Sequence, residues 1–118
     1  MSKMEHHIVI PGRPVPKGRP RLGKSGNVYT PRRTKEYETF VAWKTKEVVK
    51  EPLVGDVAMD IKVYIKGQCG DLDNLEKAIL DGMNGIAYKD DKQVAALAIQ
   101  RLKDKNERVE IKLWEVAE

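Results

Sequence analysis

The sequence predicts a single α+β domain over residues 1–118, with a small mixed β-sheet and two main helices packed on it. The predicted order is β-(arm)-α-β-α-β-β. Two segments have apolar residues at helical spacing, and four have the β-branched or alternating pattern of strands. A chain of 118 residues, 41% of them hydrophobic, can enclose one hydrophobic core but not two.

The first strand and a long basic arm begin the chain. Residues 7–11 (HIVIP) predict a strand, because three β-branched residues precede a proline that ends the ladder. Residues 11–33 then contain five prolines, four glycines, seven basic residues and no acid. A loop of this length in a small domain is usually functional or disordered. Within it, residues 27–30 (NVYT) predict a brief extended piece.

The first helix and the strand after it follow from apolar periodicity. Thr34 is the predicted N-cap of a helix that runs to about Lys50, because apolar residues recur there at helical spacing. A proline and a glycine then break the chain. In residues 56–66 (DVAMDIKVYIK) large apolar side chains occupy every second position, which predicts a strand with one buried face.

A second helix is predicted over residues 71–85 (DLDNLEKAILDGMNG) from its apolar stripe. Asp73 and Glu76 have the spacing of a capping box at its N-terminus. Gly82 or Gly85 is expected to end the helix.

The last two strands follow this helix. Residues 93–103 (QVAALAIQRLK) predict one of them and residues 108–116 (RVEIKLWEV) the other, with a DKNE turn between them. Val109, Ile111 and Leu113 are expected on one face of the final strand.

Charge divides the chain into two parts of opposite sign. Residues 11–50 contain eleven Lys/Arg and three Glu, a net of +8, whereas residues 51–118 contain ten Lys/Arg and fourteen Asp/Glu, a net of −4. This division suits a protein that binds phosphate and uses a metal ion, but a basic loop that only keeps the protein soluble fits equally well. Cys69 is a single cysteine, and neither a secretory signal nor a membrane span is recognised, so the expected compartment is the cytoplasm.

An acidic cluster is the main candidate site. Asp71 and Asp73 begin the second helix, and Asp90 and Asp91 follow it, so the order of elements favours a meeting of the two pairs at one end of the sheet. Carboxylates are the ligands that Mg²⁺ and Mn²⁺ prefer, and such an ion activates water against a phosphodiester. Lys77 lies one helical turn after Asp73 and could stabilise the charge that develops.

Each of these residues also has an ordinary structural explanation. Asp73 could only cap the helix, Asp73 and Lys77 could form a simple i, i+4 pair, and Asp90-Asp91 could be a solvated turn. The residue types and their spacing leave the two interpretations close to balanced.

The exact residue sequence around the acidic cluster is more specific. Residues 71–78 (DLDNLEKA), followed by Asp90-Asp91 and by Val94, closely resemble the D-x-D-N-x-x-K and D-D motifs of the RusA family of Holliday junction resolvases. The chain length and the basic amino-terminal half are also similar to that family, so the resemblance covers nearly the whole sequence.

The resemblance implies a homodimeric endonuclease of DNA recombination and repair, often carried by phages and prophages. Such an enzyme nicks two opposed strands of a four-way junction with Mg²⁺ or Mn²⁺. By position, Asp71, Asp73 and Asp91 match the family's catalytic, metal-binding acids, and Lys77 matches its catalytic lysine. Asp90, a further possible metal ligand, matches a neighbouring motif position, as does Asn74.

One departure concerns DNA contacts. Some members have basic residues immediately before the first motif Asp, where this chain has residues 68–70 (QCG), so any phosphate contact there must come from elsewhere, such as the arm. The side chains predicted to hold phosphates are Lys17, Arg19, Arg21, Lys24, Arg32 and Arg33.

Stacking by Tyr29 or Tyr88 on an open junction is a further hypothesis, weighed against ordinary core packing. Two other functions stay open. One is a structure-tolerant nuclease for flaps or forks, and the other is a non-catalytic nucleic-acid-binding module.

Overall fold

The computed structural model describes residues 5–18, 21–24 and 26–116. The predicted α+β class and element order are confirmed, with a small hairpin added inside the arm. The elements are β1 (His6–Pro11), β2 (Arg21–Leu22), β3 (Val28–Tyr29), α1 (Arg32–Val48), β4 (Val57–Ile65), α2 (Leu72–Met83), a 3₁₀ turn (Asp91–Gln93), β5 (Val94–Lys103) and β6 (Arg108–Glu115). No helix in these ranges is long and apolar enough to cross a membrane.

A four-stranded mixed sheet, ordered β1-β6-β4-β5, carries both helices on one face. Ile61 in β4 lies between Ile99 of β5 and Ile111 of β6, and the alternate residues of β4 and β6 are buried as predicted. Leu75 and Ile79 of α2 are fully buried against this layer. Burial of these side chains supplies the main driving force for folding.

β4 and β5 are parallel, and α2 is the crossover between them. Two parallel strands run in the same direction, so the carboxyl end of one and the amino end of the other lie at opposite ends of the sheet. Asp71 and Asp73 follow β4, whereas Asp90 and Asp91 precede β5. The expectation that the two acidic pairs meet at one end of the sheet is therefore wrong.

The start of α1 differs from the prediction. The helix begins at Arg32 after Pro31 and ends at Val48, so Thr34 lies inside its first turn rather than at its N-cap. Thr34 is only 2% exposed, and its hydroxyl accepts a hydrogen bond of 3.0 Å from the backbone N–H of Gly18. A threonine that looks like a cap in sequence instead anchors the arm.

The capping box predicted for α2 is also wrong. Asp71 occupies the N-cap position without a side-chain cap hydrogen bond, and Asp73 lies in the first turn. Gly85, with φ of +82°, follows the helix end as predicted. The alternative stop, Gly82, lies within α2, where α1 packs closely against it.

The first part of the arm is fixed to the body of the protein. Backbone hydrogen bonds of 2.9 and 2.8 Å run from Gly12 N to Glu107 O and from Lys17 N to Asn74 O, and the Cys69 thiol donates to Pro14 O at 2.9 Å. Residues 12–18 therefore form a strap beside α2. The predicted extended piece is confirmed in part, since Val28 and Tyr29 form β3 of the hairpin.

Candidate active site

The start of α2 presents two acids and a lysine to solvent. Asp71, Asp73 and Lys77 are all exposed, and none forms an ion pair within 4 Å among the residues that the structure describes. Asp73 and Lys77 are separated by one helical turn, a rise of about 6 Å, on the same face of the helix. Their charges are therefore available to a ligand.

Asp91 lies beyond the other end of α2, next to Tyr88, Asp81 and Asp90. Partial burial raises the pKa of the Asp91 carboxyl, and the negative charges of Asp81 and Asp90 raise it further, while a hydrogen bond from Tyr88 opposes the shift. Tyr88 is fully buried, and its single O–H is shared between the Asp91 carboxylate and Leu80 O, which lies 3.2 Å from the hydroxyl oxygen. Its burial excludes the junction stacking suggested for it from the sequence.

Asp81 was not identified from the sequence, although Asp73, Lys77 and Asp81 have four-residue spacing along one face of α2. Lys17 Nζ contacts Asp81 Oδ2 at 2.8 Å and Glu38 Oε2 at 2.7 Å. Partial burial opposes the charge of Lys17, but its hydrogen bonds to Asp81 and Glu38 outweigh this effect and raise its pKa. Lys17, predicted as a phosphate contact, thus joins the strap to both helices.

The three acids of the predicted metal set do not converge in one chain. Among the described residues, no three His, Cys, Asp or Glu side chains are grouped closely enough to hold one ion. Eight residues of helix, about 12 Å of rise, separate Asp73 from Asp81, which neighbours Asp91. The pair Asp71 and Asp73 still suits Mg²⁺, which is often bound by one or two carboxylates together with water and substrate phosphate.

Hydrogen bonds to Gln93 fix the loop that carries Asp91. Gln93 Oε1 accepts from the N–H groups of Lys89 and Asp90 at 2.8 and 3.1 Å, and its Nε2 donates to the carbonyls of Leu53 and Gly55, both at 2.8 Å. Asp90 Oδ1 in turn accepts from Lys92 N at 2.9 Å. Asp90 and Gln93 form the capping box of the 3₁₀ turn, which gives Asp90 a structural role.

Gln93→Ala is expected to lower the free energy of unfolding by about 2 kcal/mol, because it leaves partly buried amide and carbonyl groups without partners. Urea denaturation measures this loss. Gln93→Glu is the matched control, since it keeps the acceptor for Lys89 and Asp90 but not the donor. The free energy of unfolding of Gln93→Glu should lie between those of the wild type and Gln93→Ala. A Gln93→Ala variant as stable as the wild type would contradict the structural role of Gln93.

Arginines from the strap and from α1 lie beside the connector that leads to Asp71. Arg13 forms an ion pair with Glu107 and donates to Gln68 O, and Glu107 Oε2 accepts from Lys66 N at 3.1 Å. Burial raises the pKa of the Cys69 thiol, and the nearby charges of Arg13 and Arg33 partly offset it. Arg13 of the strap therefore contacts residues 68–70, which contain no basic residue, and the charge of Arg33 in α1 reaches Cys69.

Glu107 makes this region sensitive to acid. A hydrogen bond from Lys66 N, followed by interactions with Arg13, holds the pKa of the Glu107 carboxyl below its ordinary value of 4.5. The carboxylate therefore stabilises the fold above pH 4.5, and this contribution disappears as the pH falls through the lower folded-state pKa.

Glu107→Gln should weaken this acid dependence, because the amide accepts from Lys66 N but carries no charge. The measurement compares the melting temperatures at pH 6 and pH 3.5. Between these two pH values the melting temperature of the wild type should fall further than that of Glu107→Gln. Glu51→Gln, at an exposed position, is the control and should follow the wild type. Parallel pH curves for wild type and Glu107→Gln would contradict the prediction.

The other predicted phosphate contacts differ in their surroundings. Lys24 and Arg33 are exposed and form no ion pair in the described ranges, whereas Arg32 Nε contacts Glu36 Oε1 at 2.8 Å in an exposed pair of small energetic value. Arg19 and the side chain of Arg21 lie outside the described residues.

Two comparisons with known proteins cover the segments that carry these motifs. The sequence profile of the family described as Endodeoxyribonuclease RusA matches residues 11–114, which include the strap, both helices and all the acids discussed. The chain is also 31% identical to "Uncharacterized protein YqaN" of Bacillus subtilis (strain 168), over 93% of this chain and 96% of that protein.

Proposed function

Because the chain belongs to the RusA endodeoxyribonuclease family, we propose that it is a metal-dependent nuclease that resolves four-way DNA junctions in recombination and repair. The observation that carries the proposal is the group of exposed side chains at the start of α2. Two carboxylates and an ammonium that form no ion pair with any described residue match the needs of phosphodiester hydrolysis, and the charges of Arg13 and Arg33 act on Cys69 in the connector just before them.

Each side chain has a distinct role in this proposal. Asp71 and Asp73 would hold Mg²⁺ or Mn²⁺, which would supply Lewis-acid activation of the phosphodiester when bound. Arg33 contacts a phosphate of the substrate strand, and Lys77 stabilises negative charge on the leaving oxygen. Asp91, kept at the far end of α2 by the Gln93 network, does not reach Asp71 and Asp73 in the same chain.

A homodimer is part of the proposal for two reasons. Two opposed strands of a four-way junction are related by a two-fold axis, which the symmetry of a C₂ dimer matches. A second copy also offers a way for Asp91 to take part, because the two acidic groups that lie apart in one chain could then come from different protomers.

The test compares a synthetic four-way junction, a flap, a fork and a linear duplex of equal length, each with Mg²⁺, with Mn²⁺ and with EDTA. The expected result is symmetric nicking of the junction with either metal, little cutting of the duplex and none in EDTA. Equal cutting of flap and junction would favour the structure-tolerant nuclease. Binding without metal-dependent cutting of any substrate would favour the binding module.

A further inference from the structure

The β2–β3 hairpin carries exposed apolar side chains away from the core. Leu22 is 73% exposed, Val28 68% and Tyr29 47%, and none of the three belongs to the buried cluster. Leu22 and Val28 lie directly opposite each other in the antiparallel pair, so their side chains share one face of the ribbon. Tyr29 lies on the other face.

This hairpin is short and does not stabilise itself by burying apolar area. A two-stranded ribbon with two residues in each strand is at best marginally stable in water. Leu22 and Val28 instead present a small apolar face to solvent within a strongly basic segment. The hairpin is therefore better explained by an occupant than by a role in the fold.

The charge around the hairpin favours DNA as this occupant. Residues 12–35 of the sequence contain eight Lys/Arg and no acid. Arg13, Lys17 and Arg32 pair with acids outside this segment, and the remaining positive charge still suits a polyanion better than a second copy of the same segment. Lys24 is exposed near the hairpin tip, and exposed Arg32 and Arg33 follow the hairpin at the start of α1. Cations at both ends can hold phosphates on either side of the apolar face.

A two-stranded ribbon also has the width to enter a DNA groove, and apolar side chains can insert between base steps and unstack them. Insertion is least costly where the stack is already interrupted. A branch point has such an interruption, whereas a linear duplex does not.

We propose that Leu22 and Val28 form an apolar wedge that enters branched DNA at the branch point and separates the adjacent base pairs. The wedge rests on the proposed function and adds the source of substrate selectivity. The cations around it provide affinity for any DNA, and the apolar face provides the preference for a branch. Tyr29, on the opposite face, is positioned to stack on a separated base.

The experiment places 2-aminopurine next to the branch point of a four-way junction and, separately, in the middle of a linear duplex, both in EDTA. Wild-type protein should raise the junction fluorescence severalfold and leave the duplex signal unchanged. The Leu22→Ser/Val28→Ser variant should lose this rise and bind the junction about tenfold more weakly, with duplex affinity within twofold of wild type.

Two further variants control for folding and for loss of apolar area. Val9→Ser removes an exposed apolar side chain, 52% exposed, from β1 rather than from the hairpin, and it should keep the fluorescence rise. Leu22→Phe keeps an apolar group in the wedge and should also keep the rise. The melting temperature of the double serine variant should match that of wild type, because both side chains are exposed.

Several results would overturn the wedge. They are junction binding by wild type without a fluorescence rise, a full rise in the double serine variant, loss of the rise in Leu22→Phe, an equal loss of duplex binding, or a change of oligomeric mass. The last would assign the apolar face to a second copy. A fluorescence rise without nicking under Mg²⁺ would remove the nuclease function but retain the wedge, and no junction binding at all would remove both.

Discussion

Asp73→Asn is expected to reduce junction nicking by roughly 10²- to 10³-fold or more while leaving junction binding intact. The substitution preserves the size of the side chain but removes the negative charge that would hold a metal ion. Asp73 has no ion pair among the described residues and does not cap α2, so its loss should leave the fold unchanged. Removal of a charge that repels phosphate can even tighten DNA binding.

Single-turnover nicking of a labelled junction and the melting temperature of the variant are the two measurements. Asp56→Asn is the matched control, because Asp56 is exposed and lies before β4, away from the start of α2. It should nick at the wild-type rate. Nicking by Asp73→Asn at more than a tenth of that rate, or a large drop in its melting temperature, would contradict the assigned role.

Gly82→Val should produce the largest loss of stability, about 3 kcal/mol. A Cβ atom at Gly82 would lie 2.7 Å from Val41 Cβ and 2.8 Å from Glu38 O, and a backbone carbonyl cannot rotate away. The two helices would have to separate, which would also disturb the contacts of Lys17 with Glu38 and Asp81. Helix propensity alone predicts the opposite sign, since glycine is a poor helix former.

Urea denaturation of Gly82→Ala and Gly82→Val tests this packing in two steps, with a larger loss for valine. Lys46→Val, at an exposed position of α1, is the control for a β-branched residue in a helix and should cost roughly 1 kcal/mol or less. A Gly82→Ala variant more stable than wild type would show that the two helices are not in close contact.

The sequence predicted those parts of the fold that depend on periodicity. The alternation in β4 and the apolar stripe of α2 each result from burial on one side of the element. Such burial makes apolar residues recur in the sequence with the period of a strand or of a helix. Local capping was less predictable. Thr34 and Asp73 both have side chains that often cap helices. The Thr34 hydroxyl instead bonds to the backbone of Gly18, and α2 begins at Leu72, so Asp73 lies inside its first turn.

The candidate site was predicted by residue type but not in its geometry. Asp71, Asp73 and Lys77 are identified through their motif, and the structure leaves all three side chains exposed in the amino-terminal half of α2 and its cap. The separation of Asp91 depends on the parallel pairing of β4 with β5, which is a long-range property. The roles of Lys17, Arg13 and Asp81 likewise arise from contacts between segments that are far apart in sequence. Lys17 contacts Asp81, and Arg13 contacts Glu107.

Junction resolution by this protein can be measured on a supercoiled plasmid that extrudes a cruciform. Paired nicking across the branch at the base of the cruciform converts the circle into a linear molecule with ends at that position. We expect this linear product with Mg²⁺, its loss in Asp73→Asn, and no cutting of the same plasmid after relaxation. Open circles alone, or equal cutting of relaxed and cruciform plasmid, would contradict it.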